Sequence, residues 1–107
     1  MQVVHFDLTF SGAPQDLVTA LPLTPATDVP FKQITFMIDK AAANDAFIGE
    51  RGAALSTTVY GVRLDPTDTI GLAAYTVGPF ATGSVKLGDF AVLGTATQIL
   101  HILGIAY

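Results

Sequence analysis

Apolar and polar residues alternate along most of this chain with a period of two. In the stretch VVHFDLTF the apolar residues of one parity are Val4, Phe6, Leu8 and Phe10. His5, Asp7 and Thr9 occupy the other parity, which is typical of a strand with one buried and one wet face. The stretch FKQITFMID repeats the pattern, and its inward residues are Ile34, Phe36 and Ile38. We expect both sets of inward residues to point into one core.

Turn residues separate the alternating stretches. The stretch SGAPQD ends the first strand, and the three prolines of LPLTPATDVP exclude a central strand there. We predict an extended loop in this region, with a short edge strand around Leu17 to Ala20. The stretch KAAAND predicts a single helical turn, because alanine favours helix but the segment is short. No window has the apolar period of a longer amphipathic helix.

Further short strands are predicted in the second half of the chain. They are AFIG, TTVYGVRL, TIGLAAYTV with Ile70 and Leu72 on one side, VKLGDFAVLG and ILHILGIA. Gly61 lies inside the second of these and predicts a bulge or a close backbone approach. Strands that recur about every 8–12 residues between Gly and Pro turns indicate an all-β sandwich or barrel. The length and the absence of a linker predict one domain, residues 1–107.

The last strand has two apolar faces rather than one. Leu100, Ile102, Gly104 and Ala106 share one parity and suit a tight core. The other parity contains His101, Leu103, Ile105 and Tyr107. We predict that these four residues form an interface, because histidine and tyrosine have polar tips that can meet the hydrogen-bonding groups of a protein partner.

Composition supports a protein that is covered by other proteins. Only 13% of the residues are charged and 50% are hydrophobic, whereas about 25% are charged in an average soluble domain. A free monomer with so few charges has difficulty in keeping its surface wet and free of apolar patches. The alternative that composition leaves open is a compact, weakly charged monomer.

Several classes of protein are disfavoured by the same totals. The net charge is −4 and the five basic residues are spread along the chain, so no nucleic acid partner is expected. Cysteine is absent, which excludes disulfides and thiolate metal sites. No apolar stretch approaches the roughly 20 residues that span a bilayer, so no membrane partner is expected. The N-terminus lacks a basic segment and Asp7 interrupts its apolar run, so we expect no signal peptide.

Histidine offers only a minimal candidate for catalysis or metal binding. His5 and His101 are the two imidazoles of the chain, and Asp7 or Asp89 could pair with them. His5 and Asp7 lie two residues apart on one strand face, but no third ligand is apparent. We therefore predict no metal site, a solvent-facing His5, and a hydrogen-bonded His101 in a buried or interface position.

The acidic turn and the glycine-rich stretches give no stronger chemistry. The stretch LDPTDT offers the oxygens of Asp65 and Asp68 to a cation, but it lacks the alternating ligands and closing Glu of an EF-hand. An Asp-Pro turn is the simpler interpretation. The stretches GERG and GPFATGSVKLG lack phosphate-loop spacing. We therefore predict a non-enzymatic protein without a cofactor.

From Phe31 onward the chain resembles a group of small bacteriophage virion proteins. The stretches that carry the resemblance are FKQITFMID, AFIG, STTVYGVRLDPTDTI and GPFATGSVKLGDFAVLGTATQILHILGI. The closing motif is matched at Leu87, Asp89, Phe90, Val92, Gly94, Thr95, Gln98, Leu100, His101, Ile102 and Leu103. The resemblance covers about two-thirds of the chain and consists of strand and turn residues rather than of chemistry.

The resemblance implies a fold and a role. It implies an antiparallel, jelly-roll-like β-sandwich of about eight short strands. The implied function is that of a capsid cement or decoration protein, which is assembled in the host cytoplasm and found in the virion. Its partners would be the major capsid protein or other virion proteins, together with further copies of itself, and a trimer is favoured.

Two alternatives stay open beside the cement protein. One is a structural protein of the tail or of a fibre-attachment point. The other is a lectin-like binding module, although sugar binding commonly uses exposed aromatic platforms. The chain has no Trp, and its tyrosines are Tyr60, Tyr75 and Tyr107. This composition favours the structural class over the lectin.

Overall fold

The computed structural model describes residues 2–24, 27–39, 44–66 and 73–106. Its strands are β1 (Val3–Thr9), β2 (Gln15–Asp16), β3 (Phe31–Ile38), β4 (Ala46–Glu50), β5 (Val62–Leu64), β6 (Ala74–Val77), β7 (Phe90–Leu93) and β8 (Ile99–Ala106). The helical elements in these ranges are one turn of α-helix, α1 (Leu17–Ala20), and a 3₁₀ helix (Leu87–Asp89). None of the described helices is long and apolar enough to cross a membrane.

The strands form two four-stranded antiparallel sheets. The first, called sheet A below, has the order β1-β8-β3-β6, and the second, sheet B, has the order β2-β7-β4-β5. Strands β1 and β8, β2 and β7, β3 and β6, and β4 and β5 are antiparallel neighbours. The chain is thus paired like one long antiparallel ribbon, and the β3–β8 and β4–β7 contacts complete the two sheets. The prediction of an all-β antiparallel fold is confirmed.

Both sheets contribute side chains to one core. Sheet A supplies Val4, Leu8, Ile34, Phe36, Ile38, Leu100 and Ile102, while sheet B supplies Ala46, Ile48, Leu64 and Val92. The predicted inward positions of β1 and β3 are confirmed, although Phe6 is half-buried and packs against the margin of the core. The rings of Phe36 and Phe90 meet edge to face with centroids 5.2 Å apart, and they join the two sheets directly.

Strand β8 has the core face that its parity predicted. Leu100, Ile102, Gly104 and Ala106 are all buried. Gly104 is required by the close approach of Phe31, because a Cβ atom at this position would lie 2.7 Å from Cε1 of the Phe31 ring. A fully buried aromatic ring therefore fills the space that a side chain at position 104 would occupy.

Residues Leu17 to Ala20 form a helical turn, so the prediction of an edge strand there was wrong. The short strand β2 comes immediately before this turn, at Gln15–Asp16. The Leu21 N–H donates a hydrogen bond to the Leu17 carbonyl, and both of these leucine side chains are buried. Their four-residue spacing places them on one side of a single helical turn, which packs against the 3₁₀ helix.

The strand predicted for TTVYGVRL is shorter than expected. Strand β5 begins at Val62, because the hydroxyl of Ser56 accepts hydrogen bonds from the backbone of Thr58 and Val59 and holds that segment in a local turn. Gly61 precedes the strand and donates its N–H to the Ile48 carbonyl at 2.9 Å. The close backbone approach predicted for this glycine is therefore present.

Two predictions of local structure fall outside the described residues. The helical turn predicted for KAAAND falls mainly on residues 40–43. The strand positions Ile70 and Leu72 belong to residues 67–72, and the described part of that strand is β6.

Candidate functional site

The chain covers the outer face of sheet B with one of its own loops. Phe47 is buried on that face, and the Tyr60 ring packs on it with ring centroids 5.0 Å apart. Leu55 lies over Gly49, since a Cβ atom at position 49 would be 2.6 Å from the Leu55 side chain. The loop between β4 and β5 therefore gives sheet B a second, small apolar layer.

No described segment covers the outer face of sheet A in the same way. Residues that are direct cross-strand neighbours share a face, and the register places three rows of side chains outward. These rows are Val3–Ile105–Gln33, His5–Leu103–Thr35 and Asp7–His101–Met37, and the pair Thr9–Ile99 extends the same surface at the end of β1. We call this surface the outer face of sheet A.

Apolar side chains are exposed on this face. Val3 is 62% exposed, Met37 and Leu103 are each 42% exposed, and Ile99 is 41% exposed. A shallow groove of about 180 Å³ runs across the middle of the face, and it is lined by His5, Thr35, Met37, His101, Ile102 and Leu103. An apolar patch of this kind on a weakly charged protein is typical of an interaction surface.

A polar cluster is set within the apolar patch. Oδ1 of Asp7 accepts hydrogen bonds from Nε2 of His5 at 2.9 Å and from Nδ1 of His101 at 2.7 Å. Nε2 of His101 lies 3.5 Å from Oδ1 of Asp39, directly after β3. An ionised carboxylate only accepts hydrogen bonds. The protonated imidazolium is therefore the form of His101 that satisfies the carboxylates on both sides.

The cluster shifts the pKa values of two of its members. The hydrogen bonds from His101 and then from His5 lower the pKa of Asp7 below its ordinary value of 3.8. The hydrogen bond to Asp7 raises the pKa of His101 above its ordinary value of 6.5, against a smaller opposing effect of burial. The pair thus favours an ionised Asp7 beside a protonated His101.

This pair should make the stability of the fold depend on pH. Because the pKa of His101 is raised, its contribution is complete below pH 6.5 and is lost as pH rises through the raised pKa. Because the pKa of Asp7 is lowered, its contribution is complete above pH 3.8 and is lost as pH falls through the lowered pKa. The difference in melting temperature between wild type and Asp7→Asn should be largest between these two values. Scanning calorimetry across this range measures it.

Nuclear magnetic resonance gives a direct check on the same pair. In Asp7→Asn the titration of His101 should move down towards its ordinary pKa, because the carboxylate that favours the imidazolium has gone. A His101 titration that is unchanged in this variant would contradict the hydrogen bond to Asp7.

The structure separates the pairings that the sequence left open. His5 and Asp7 are in direct contact, whereas Asp89 accepts a hydrogen bond from the Lys86 N–H at the start of the 3₁₀ helix. Asp65 contacts Arg63 with oxygen and nitrogen 3.2 Å apart, and Asp68 lies outside the described residues. Within the described ranges no group of three or more histidine or acidic residues is arranged to hold a metal ion.

Three of the four predicted interface residues lie together on the outer face of sheet A. Leu103 is exposed, and His101 and Ile105 are half-buried beside it, whereas Tyr107 lies outside the described residues. Sequence reasoning missed Val3, Met37 and Asp39 as parts of the same surface. The alternation in β1 and β3 did predict that Val3 and Met37 point away from the core. It gave no sign that β8 lies between those two strands and brings the two residues onto one surface.

Comparison of the chain with protein-family models, with curated proteins and with solved structures finds no match. The residues and geometry described above are therefore the basis for any functional assignment.

Proposed function

We propose that this protein is a non-catalytic bacteriophage virion structural protein, and that it acts as a capsid cement or decoration protein. The observation that carries the proposal is the outer face of sheet A, which exposes apolar side chains around a hydrogen-bonded His–Asp cluster. The low content of charged residues supports a surface that is covered in the assembled state. The biological setting is taken from the resemblance to small virion proteins that the sequence from Phe31 onward predicts, for which the comparisons supply no match.

The strand pairing supports a jelly-roll arrangement within this proposal. A jelly roll is an eight-stranded double sheet that contains two Greek keys, and it recurs in viral capsid and lectin domains. Here the first strand pairs with the last, the second with the seventh, the third with the sixth and the fourth with the fifth. Such a ribbon, wrapped into two sheets, gives the jelly-roll order.

The proposed mechanism is adhesion. Leu103 and Ile105 would pack against the major capsid protein or another virion protein, and full burial of each would contribute on the order of 1.5–3 kcal/mol. Nδ1 of His101 and Oδ1 of Asp7 are already hydrogen-bonded to each other, which reduces the cost of covering them. Each contact is modest, but symmetric repetition over a shell multiplies the contribution.

Particle binding tests the proposal, and Leu103→Asp is the informative variant. Wild-type protein should co-sediment with particles of the phage that encodes it, and Leu103→Asp should lose most of this binding because a carboxylate would be buried in the contact. Val59→Asp is the matched control, since Val59 is an exposed apolar residue on the loop that covers sheet B. That variant should bind like wild type.

The outcomes separate the candidate roles. Absence of the protein from purified particles, together with no binding to them, would contradict a virion role. A cryo-EM map that places the protein at the tail or at a fibre-attachment point would instead select the second virion role. The lectin-like role has less support, because the exposed Tyr60 lies on the loop over sheet B while the exposed Tyr75 lies on β6 of sheet A, so the two rings form no shared platform.

A further inference from the structure

Within the described ranges, strand β1 is the longest edge strand of the two sheets. It ends sheet A in the order β1-β8-β3-β6, and it has seven residues, whereas the other edge strands β6, β2 and β5 have four, two and three. Its register with β8 runs without a bulge from Val3 to Thr9, and it contains neither lysine nor proline. Short length, bulges, proline and charged side chains, above all lysine, are the usual devices that prevent an edge from pairing with another chain. Of these β1 has only the carboxylate of Asp7, which already accepts hydrogen bonds from two imidazoles.

The hydrogen bonds to β8 fix which backbone groups of β1 point away from the sheet. The Gln2 carbonyl accepts from the Ala106 N–H at 2.7 Å, and the Phe10 N–H donates to the Gln98 carbonyl at 2.9 Å. In an antiparallel pair, alternate residues direct both backbone groups to the same neighbour. The even-numbered residues of β1 therefore pair with β8. The odd-numbered residues direct their N–H and C=O groups to the edge, where no described strand pairs with them.

We propose that β1 pairs with β1 of a second copy of this chain, antiparallel and about a two-fold axis, with His5 of each copy opposite Asp7 of the other. Backbone geometry requires odd residues to meet odd residues, which leaves a choice among registers. Two neighbouring choices would place His5 opposite His5 or Asp7 opposite Asp7. An imidazole N–H can donate a hydrogen bond to a carboxylate, whereas two directly opposed carboxylates repel each other, so the mixed register is favoured.

Two features of the described residues fit this register. Both imidazoles that contact Asp7 use its Oδ1 atom, so Oδ2 takes no part in either bond and can face His5 of the second copy. The same register places Phe6 opposite Phe6 at the two-fold axis. Phe6 is half-buried at the margin of the core, and a cross-strand aromatic pair would cover its exposed part.

The dimer would also enlarge the outer face of sheet A. A two-fold axis between antiparallel edge strands stands perpendicular to the sheet, so both outer faces lie on the same side. Two sheets of four strands become one continuous sheet. This inference concerns a contact between copies in solution and holds or fails independently of the proposed virion role.

Sedimentation of the purified protein tests the dimer. Wild type should show a concentration-dependent equilibrium between monomer and dimer, and His5→Pro should weaken it by about tenfold or more, because proline removes an outward N–H together with the His5 side chain. Thr76→Pro is the matched control. The Ile38 N–H donates to the Ala73 carbonyl, so the odd-numbered residues of β6 pair with β3. The Thr76 N–H therefore points away from β3, to the edge of sheet A that lies opposite β1. This control should dimerise like wild type.

Cysteine cross-linking tests the register without disturbing His5 or Asp7. The chain has no cysteine, and the proposed register places Val3 opposite Thr9 of the second copy. Directly opposed strand residues are close enough for a disulfide. A mixture of Val3→Cys and Thr9→Cys proteins should therefore form a mixed disulfide dimer under mild oxidation, whereas each variant alone should not.

Three results would overturn the inference. The first is a wild-type protein that stays monomeric or forms a trimer. The second is a dimer whose stability is unchanged by His5→Pro. The third is that either cysteine variant alone cross-links as efficiently as the mixture does. A monomer that still co-sediments with particles would remove the dimer while leaving the virion role intact.

Discussion

Leu100→Asp is expected to unfold the protein, whereas Leu103→Asp should leave it folded. Leu100 is 0% exposed between the sheets and Leu103 is 42% exposed on the opposite face of the same strand. The substitution at position 100 loses about 1.5–3 kcal/mol of apolar burial and adds the cost of a buried, unpaired carboxylate. Together these costs approach the whole stability of a small domain, about 5–15 kcal/mol. Circular dichroism and the dispersion of amide resonances measure the outcome.

The two variants form a matched pair because they introduce the same side chain three residues apart. If Leu103→Asp also unfolds the monomer, the outer face of sheet A is required by the fold of a single chain and the case for a partner is lost. If Leu100→Asp folds normally, the assignment of the two faces of β8 is reversed.

Phe36→Ala should produce the second large loss of stability. Phe36 is fully buried, and its ring meets Phe90 of the other sheet edge to face. Truncation of a buried Phe to Ala typically costs about 3–5 kcal/mol, because apolar contact is lost and a cavity stays behind. The free energy of unfolding from urea titration is the appropriate measurement.

Tyr75→Ala is the control for this prediction. Tyr75 is the cross-strand neighbour of Phe36 on β6 but is 42% exposed, so its truncation should cost less than about 1 kcal/mol. Equal losses in the two variants would contradict a core that the two sheets share through Phe36 and Phe90.

The proposed edge dimer would enlarge the surface that is available for the proposed docking. Stable protein interfaces bury about 800 Å² on each partner, which is a large demand on a single four-stranded sheet. Pairing through β1 would place two such faces side by side and double the surface available to one partner. The His5–Asp7–His101 cluster would then lie near the middle of the combined face, where a contact excludes water best.

Local alternation was enough to predict the strands and most of the core. The period of two in residues 3–10 and 31–39 identified Val4, Leu8, Ile34, Phe36 and Ile38 as buried, and each of them is. The parity of β8 likewise separated Leu100 and Ile102 from Leu103. These predictions succeed because the alternation of side chains along a strand is a property of the backbone itself. By contrast, the single turn at Leu17–Ala20 is too short to show a helical period.

The neighbours of each strand were decided by the tertiary structure. Asp7 and His101 are 94 residues apart in the chain, yet they are direct cross-strand partners and share a 2.7 Å hydrogen bond. The sequence offered Asp89 as an equal candidate for His101, since both are single acidic residues in alternating stretches. Which strand lies next to which depends on long-range pairing of the whole ribbon, and no local period encodes it.

The outer faces of the two sheets also show the difference between what the local sequence determines and what long-range contacts decide. The sequence by itself determined that β8 has two apolar faces and that the chain has few charges to cover them. Only the tertiary structure decided that the loop bearing Leu55 and Tyr60 covers sheet B, and that no described segment covers sheet A. The physical reason is that a loop closes over a sheet through contacts between residues that are separated in the chain, such as Tyr60 on Phe47. The alternation of apolar residues, by contrast, is a local property of each strand's own sequence.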